Sequence, residues 1–270
     1  MVGTPLTLDQ AVDLTRTGDL WVFRGRSAAD RAIQMTTNSP VNHVGMAVVL
    51  EDLPPLMWHA ELGRSLRDVW TGGHHRGVQL HDLREAVVVW GTRYGQRAWL
   101  RQLDPTVGRA AEDAVLRTVA RLDGTPFPST ARLAARWLGG RVPLPRPPGR
   151  VRAWASHRHR HRPAPDGPGP GPEQGMATQE RPASDGSAQV GLESAYCAEV
   201  VAITYEAMGL LLPGRRPNWY DPGRFWSGDD LPLADGYRLG TEVAVALPAG
   251  PPPVGPPPVG PPSVGPPSVG

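Results

Sequence analysis

Short apolar runs predict strands, and most of these runs lie in the first third of the chain. The run at 43–50 (HVGMAVVL) is the most strand-like. Turn residues at 52–55 separate it from a second run at 56–61. The two runs and the turn between them predict a hairpin. In all, strands are predicted at residues 20–23, 43–50, 56–61, 78–80, 87–90 and 238–247.

Apolar residues spaced three and four apart predict helices in other segments. These helices fall at residues 8–17, 28–35, 110–122, 130–138 and 194–208. Ser27 and Ser194 are the predicted N-caps of two of them, and Gly124 lies just beyond the end of a third.

Two segments lack apolar periodicity. Residues 139–190 are dense in Pro, Gly, Arg and His and cannot bury enough surface to offset ordering entropy, so a disordered insertion is predicted there. The flanking segments 1–138 and 191–248 are predicted to form two parts of one domain. The tail at 249–270 repeats proline, valine and glycine and is predicted to be a disordered, polyproline-type spacer.

Composition narrows the classes of function. All 28 basic residues are arginines, but the formal net charge is only +2, which argues against a nucleic-acid partner. One cysteine excludes an internal disulfide framework. The N-terminus lacks the pattern of a signal peptide and no apolar run is long enough to span a membrane, so a cytoplasmic protein is expected.

The single cysteine, Cys197, is a candidate nucleophile. With Ser194 as N-cap, Cys197 occupies the third position of the predicted helix, where free backbone N–H groups and the helix dipole favour a thiolate. The alternative is a small residue buried in the core. The helix position by itself does not decide between them.

A candidate base for this thiol opens the most strand-like run. His43 stands at the head of that strand, which would hold its backbone rigid while the ring faces a groove. On the returning strand, His59 and Glu61 are two residues apart and share a face, so either could orient the imidazole of His43.

These residues occur within motifs that resemble a known family. The segments GDLWVFRG, NHVGMAVV, MWHA and AYCAEVVAITYEAMG resemble the permuted NlpC-type cysteine hydrolases, and more narrowly their YiiX/YaeF-like branch, which is related to lecithin–retinol acyltransferase. The element at 124–127 resembles the family's Gly-x-Pro-Tyr turn. Histidine precedes cysteine here, as permutation of a papain-like chain requires, and a triad depends on geometry rather than order.

The resemblance implies a fold and a set of roles. The fold would be α+β and papain-like, with a small antiparallel sheet packed against helices. Cys197 would be the nucleophile, His43 the general base and acid, and His59 the third polar residue. Glu61, Asp19 and Tyr196 are further orienting or substrate-side candidates, and a structural role for Asp19 at a strand entry is equally compatible with its position.

The expected activity is hydrolysis of an amide or ester, in a peptide or small molecule, through a Cys197 thioester. No metal or other cofactor is expected. One alternative is an acyltransferase that uses the same acyl-enzyme. Another is a non-catalytic scaffold that binds a protein partner through its Pro-rich tail. The histidines at 157, 159 and 161 and the pair His74 and His75 are interpreted as solvated residues rather than ligands.

Overall fold

A computed structural model describes residues 4–141, 196–228 and 231–247. Its helices and strands follow the order β1 Leu6–Thr7, α1 Leu8–Asp13, β2 Leu20–Arg24, α2 Ala28–Thr37, β3 His43–Val48, β4 Leu56–Glu61, β5 Gly77–Asp82, α3 Leu83–Tyr94, β6 Arg97–Arg101, β7 Leu103–Asp104, α4 Arg109–Leu122, α5 Thr130–Arg141, α6 Cys197–Ala207, β8 Arg238–Leu239 and β9 Val243–Ala246. Two short 3-10 helices, Pro217–Trp219 and Pro222–Phe225, precede β8.

Seven of the strands form one sheet in the order β1-β9-β6-β2-β3-β4-β5. The β1–β9 pair is parallel and the other neighbours are antiparallel. Strands β7 and β8 pair separately. The fold is therefore α+β, as expected, but its main sheet is larger than the small antiparallel sheet that was predicted, because β6 and β9 extend it beyond β2.

Alternation along the strands divides the core between the two faces of the sheet. Val44, Met46 and Trp58 face the cluster that contains α6, whereas Ala47 and Met57 face the cluster that contains α3. Because strand residues alternate between faces, the odd-numbered positions of β3, β4 and β5 share the α3 face. His43, His59 and His81 all occupy that face.

Side-chain N-caps start three of the described α-helices, α1, α2 and α3. Ser27 caps α2, accepting from the N–H of Asp30, while the Asp30 side chain accepts from the N–H of Ser27, which confirms the predicted N-cap. Helix α4 and strand β4 also form where they were predicted. Helix α6 begins at Cys197 with Tyr196 as its N-cap, later than predicted, and Ser194 lies outside the described residues.

The predicted strand at 87–90 is wrong, because these residues belong to α3. Asp82 caps this helix by accepting from the N–H of Glu85, and its buried residues Leu83, Ala86, Val87 and Trp90 follow helical spacing. The β-branched run of three valines favours a strand locally. Packing of the buried stripe on the sheet outweighs that preference.

One of the predicted domain boundaries, between residues 138 and 139, falls within the described part of the chain. Residues 139–141 form the end of α5 rather than the start of the insertion. The rest of the predicted insertion, and the tail at 249–270, lie outside the described residues. Beyond the 142–195 gap, α6 packs against β3 and β4, and β9 pairs with β6.

None of the helices in the described part of the chain is long and apolar enough to cross a membrane.

Candidate active site

A row of hydrogen-bonded side chains crosses three neighbouring strands on the α3 face. His43 Nε2 lies 3.0 Å from His59 Nδ1, and His59 Nε2 lies 2.9 Å from His81 Nδ1. His81 Nε2 in turn lies 3.1 Å from Gln79 Oε1. The structure therefore brings the predicted pair His43 and His59 together and adds His81 and Gln79, which the sequence interpretation missed. We call these four residues the histidine relay.

The backbone of β3 and the indole of Trp90 hold the relay in place. Gly45 lies across from β4, where an added Cβ would be 2.3 Å from the sulfur of Met57 and 3.4 Å from the Cβ of His59. The absence of a side chain lets β4 lie close. Trp90 from α3 packs edge-on against the rings of His43 and His59, at centroid distances of 5.1 and 4.9 Å.

Burial keeps the three imidazoles neutral. His59 and His81 are 0% and 1% exposed. His43 is partly exposed as a residue, but its ring packs against the rings of Phe23, His59 and Trp90. Burial, together with repulsion from His81, lowers the pKa of His43 to about 3. Burial likewise lowers the pKa of His81 to about 4 and that of His59 well below its usual value. Each ring therefore carries one proton at neutral pH.

Gln79 sets the direction of the hydrogen bonds. Its Nε2 is 3.4 Å from the carbonyl of Gly77, which orients the amide so that Oε1, an acceptor only, faces His81. His81 must then carry its proton on Nε2, and its Nδ1 accepts from His59 Nε2. The same reasoning places the proton of His43 on Nε2, where it is donated to His59.

It follows that Nδ1 of His43 is unprotonated and available as a base. A neutral imidazole has one donor and one acceptor nitrogen, so fixing the donor fixes the other. This is the protonation state that a general base for a thiol requires.

Cys197 approaches the same end of β3 from the other face. It is the first residue of α6, is 5% exposed, and belongs to the α6 cluster. Backbone N–H groups of Val44, Ala198 and Cys197 interact with its sulfur. Val44 follows His43 in β3, so the thiol contacts the backbone next to the candidate base. Among the described residues, no hydrogen bond joins the thiol to the ring of His43.

The thiol differs from its sequence-based description in one respect. Burial raises the pKa of Cys197 to about 11, although the backbone N–H groups of Val44, Ala198 and Cys197 act in the opposite direction. The helix terminus was expected to lower this pKa. Loss of hydration outweighs the dipole here, so the resting group is a neutral thiol.

The remaining candidates lie in two places. Glu61 borders the relay: its Oε1 accepts from the indole N–H of Trp90 at 3.2 Å, its Oε2 is 3.9 Å from His81 Nδ1, and burial raises its pKa to about 7. The hydroxyl oxygen of Tyr196 lies 2.7 Å from the carbonyl oxygens of both Asn218 and Tyr220, so its single O–H can donate to either, which fixes the loop beside the start of α6.

Asp19 has a structural environment away from the relay. Its carboxylate accepts from the backbone N–H groups of Arg16 and Leu103, both at 2.8 Å. These bonds close the turn before β2 and join it to β7.

A metal ion has limited access to the relay. Single ligand atoms of His59, Glu61 and His81 lie within 4.8 Å of one another. Both ring nitrogens of His59 and both of His81, however, are already engaged in the relay. Binding a cation here would break those hydrogen bonds.

Comparison with solved structures gives distant structural neighbours. No protein-family model and no curated protein matches the chain. The crystal structure of metalloprotein YiiX from Escherichia coli O157:H7 (DUF1105) aligns with a TM-score of 0.42 and 15% identity, over 87% of this chain and 99% of that chain. At this level of similarity it assigns neither activity nor site residues.

Proposed function

We propose that the chain is a cysteine hydrolase of the circularly permuted papain-like type, which cleaves an amide or ester through a thioester on Cys197. The observation that carries the proposal is the polarity of the histidine relay. Its hydrogen bonds leave Nδ1 of His43 unprotonated, and the backbone N–H of the next residue, Val44, interacts with the sulfur of Cys197. The motif resemblance points to the same two residues.

The first half of the reaction would proceed as follows. Nδ1 of His43 takes the thiol proton while the sulfur of Cys197 attacks the carbonyl carbon, and the carbonyl oxygen becomes an oxyanion. His59 accepts from Nε2–H of His43 and so stabilises the imidazolium that forms. As the carbon–nitrogen or carbon–oxygen bond breaks, the leaving group takes the proton from Nδ1, and the thioester remains.

The second half regenerates the thiol. Water gives a proton to Nδ1 of His43 and attacks the thioester carbonyl, after which the proton returns to the departing sulfur. The N–H of Cys197 and that of Ala198 are suited to bind the oxyanion, since the first N–H groups of a helix have no partner within it.

The neutral resting pair has a kinetic consequence. With the thiol pKa near 11 and that of His43 near 3, the ion pair is unfavourable before substrate binds. Proton transfer is therefore expected to accompany attack on the substrate. Water or an amine or alcohol could resolve the acyl-enzyme, so an acyltransferase remains the second candidate within the same chemistry.

Mass spectrometry of the intact protein tests the proposal directly. The wild type is incubated with p-nitrophenyl esters of short and long acyl groups, and the mass of the protein is followed. We expect a mass increase equal to one acyl group, located on Cys197, which is the only cysteine in the chain. Cys197→Ala should gain none, and His43→Ala should acylate much more slowly.

Competition between water and an added amine or alcohol acceptor separates the two candidates. Saturable formation of the amide or ester identifies an acyltransferase, and formation of the free acid alone identifies a hydrolase. Equal acylation or turnover by wild type and Cys197→Ala would contradict the proposal. So would a folded wild type that never acylates although iodoacetamide modifies its thiol.

A further inference from the structure

A second cluster of ionisable residues lies at the outer edge of β5, the last strand of the sheet. One ligand atom from each of Asp68, His75 and Asp123 lies within 4.8 Å of those of the other two. The three residues come from two segments: Asp68 and His75 lie in the loop between β4 and β5, and Asp123 is the C-cap of α4. The sequence interpretation had taken His75 for a solvated residue.

Two polar atoms of this cluster are shielded from solvent without a hydrogen-bond partner. They are Nε2 of His75 and Oδ1 of Asp123. His75 Nε2 is 3.5 Å from Asp68 Oδ2, which is too long for a well-formed hydrogen bond. Buried polar atoms are rarely left unpaired, so a group that would satisfy both atoms is indicated.

The charges in the cluster favour a cation. The side chain of Asp68 is 0% exposed. Burial acts to raise its pKa, but hydrogen bonds from Thr71 and Leu80, with a smaller contribution from the long contact to His75, hold the pKa below its usual value. Burial and the charge of Asp68 raise the pKa of Asp123 to about 6. Asp123 also caps the C-terminus of α4, where the helix dipole disfavours a negative charge.

We propose that Asp68, His75 and Asp123 bind a divalent first-row cation of the Zn²⁺ or Mn²⁺ type. One imidazole nitrogen and two carboxylates suit such ions, with water completing the coordination. In a tetrahedral zinc site the ligand atoms are about 3.4 Å apart. His75 Nε2 and Asp68 Oδ2 are already 3.5 Å apart, and since no pair of ligand atoms is separated by more than 4.8 Å, the contraction needed is at most about 1.4 Å. The side chain of His75 is 27% exposed on a loop and can make that movement.

Such an ion would join two loops that already cover β5. On one side Val69 N–H donates to the carbonyl of Leu80, and Oδ1 of Asp68 accepts from the N–H of Leu80. On the other side Gly124 N–H donates to the carbonyl of Val78. The cation would bind both segments at the edge strand. Its role would be structural, and it does not depend on the proposed hydrolase activity.

Zinc binding is the test, with the neighbouring histidine as a matched control. Protein stripped with EDTA is titrated with Zn²⁺, and with Mn²⁺ as the second probe, by calorimetry. Because other histidines of the chain can also bind Zn²⁺, the readout is the difference between variants. His75→Ala and Asp123→Asn should each bind one equivalent of Zn²⁺ less than wild type, or bind that equivalent more than about 100-fold more weakly. His74→Ala, which alters an exposed histidine, should retain it.

Thermal unfolding gives a second measurement that does not depend on counting ions. At 100-fold excess over the dissociation constant, the Tm of wild type and His74→Ala should rise by about 5–10 °C, and that of Asp123→Asn and His75→Ala should not. An unchanged binding isotherm in His75→Ala and Asp123→Asn would overturn the proposal, as would an equal loss in His74→Ala. If Asp123→Asn fails to fold, the comparison of His75→Ala with His74→Ala decides.

Discussion

Nε2 of His43 lies 3.0 Å from Nδ1 of His59, across the gap between two adjacent strands. This contact commits one nitrogen of His43 to the sheet and leaves the other for chemistry. Since His59 is fully buried and bonded in turn to His81, the ring of His43 is fixed both in orientation and in tautomer.

Replacing His59 tests the contribution of that contact. In His59→Ala the Nε2–H of His43 and the Nδ1 of His81 lose their partner, so we expect Cys197 acylation to slow by about 100-fold or more. Stability should fall by about 1–3 kcal/mol because buried polar atoms are left unpaired. Stopped-flow acylation and urea unfolding measure the two effects. His74→Ala is the control, and a His59→Ala variant that acylates at the wild-type rate would exclude an orienting role.

Gln79 is expected to determine which nitrogen of His43 carries the proton. In Gln79→Leu, Nε2 of His81 loses its acceptor and the relay can reverse, which moves the proton of His43 to Nδ1. The lost bond corresponds to about 1–3 kcal/mol, or about 5- to 150-fold in the ratio of tautomers. Nitrogen-15 NMR of the imidazoles should report an unprotonated Nδ1 in the wild type and a protonated one in Gln79→Leu.

A carboxylate at the same position supplies the control. Gln79→Glu keeps an acceptor facing His81 and should preserve the tautomer of His43 and much of the acylation rate. If Gln79→Glu and Gln79→Leu behaved alike, the amide would only fill space, and the relay would owe its direction to another group.

The parts of the site that could be predicted were those marked by distinctive local motifs. His43 opens a conspicuous apolar strand, and His59 follows after a clear turn, so both were found. Gln79 and His81 also stand two residues apart on a strand, which is the same signal. They were missed because the apolar pattern predicts a strand of only three residues, 78–80. The full length of β5 is set by its pairing with β4, which the sequence does not reveal.

Long-range packing explains the other differences between sequence and structure. The segment at 87–90 has local strand preference, but its helical conformation depends on a buried face that only the assembled sheet provides. The pKa of Cys197 is a similar case. Its helix position is visible in the sequence, whereas its burial in the α6 cluster is not. Residues 194 and 139–190 lie largely outside the described structure, so the predictions about them stand as predictions.

Glu61 should make stability depend on pH. Its pKa is near 4.5 when unfolded and about 7 when folded, so the folded state binds the proton more tightly. The stability from this group is fully present below about pH 4.5 and falls as pH rises through about 7, by at most about 3 kcal/mol. Glu61→Gln removes this dependence. The unfolding free energy of Glu61→Gln minus that of wild type should therefore be more positive at pH 8 than at pH 5.

Urea unfolding of both proteins at the two pH values measures the difference. Glu51→Gln, at an exposed site, is the control and should show the same change in unfolding free energy between the two pH values as wild type. The same dependence on pH in wild type and Glu61→Gln would show that the carboxyl titrates alike in the folded and unfolded states.

The pairing of Cys197 with His43 is tested most directly by the rate of iodoacetamide alkylation as a function of pH, in wild type and in His43→Ala. Because Nδ1 of His43 is unprotonated above its low pKa, base assistance should give the wild type a plateau from about pH 5 to about pH 9. The rate should then rise as the thiolate forms toward the thiol pKa of about 11. In His43→Ala the plateau should be absent. The alkylation rate should instead fall about tenfold for each pH unit below the thiol pKa, in proportion to the thiolate fraction. Identical profiles in the two proteins would contradict the account, because the thiol would then react without any contribution from His43.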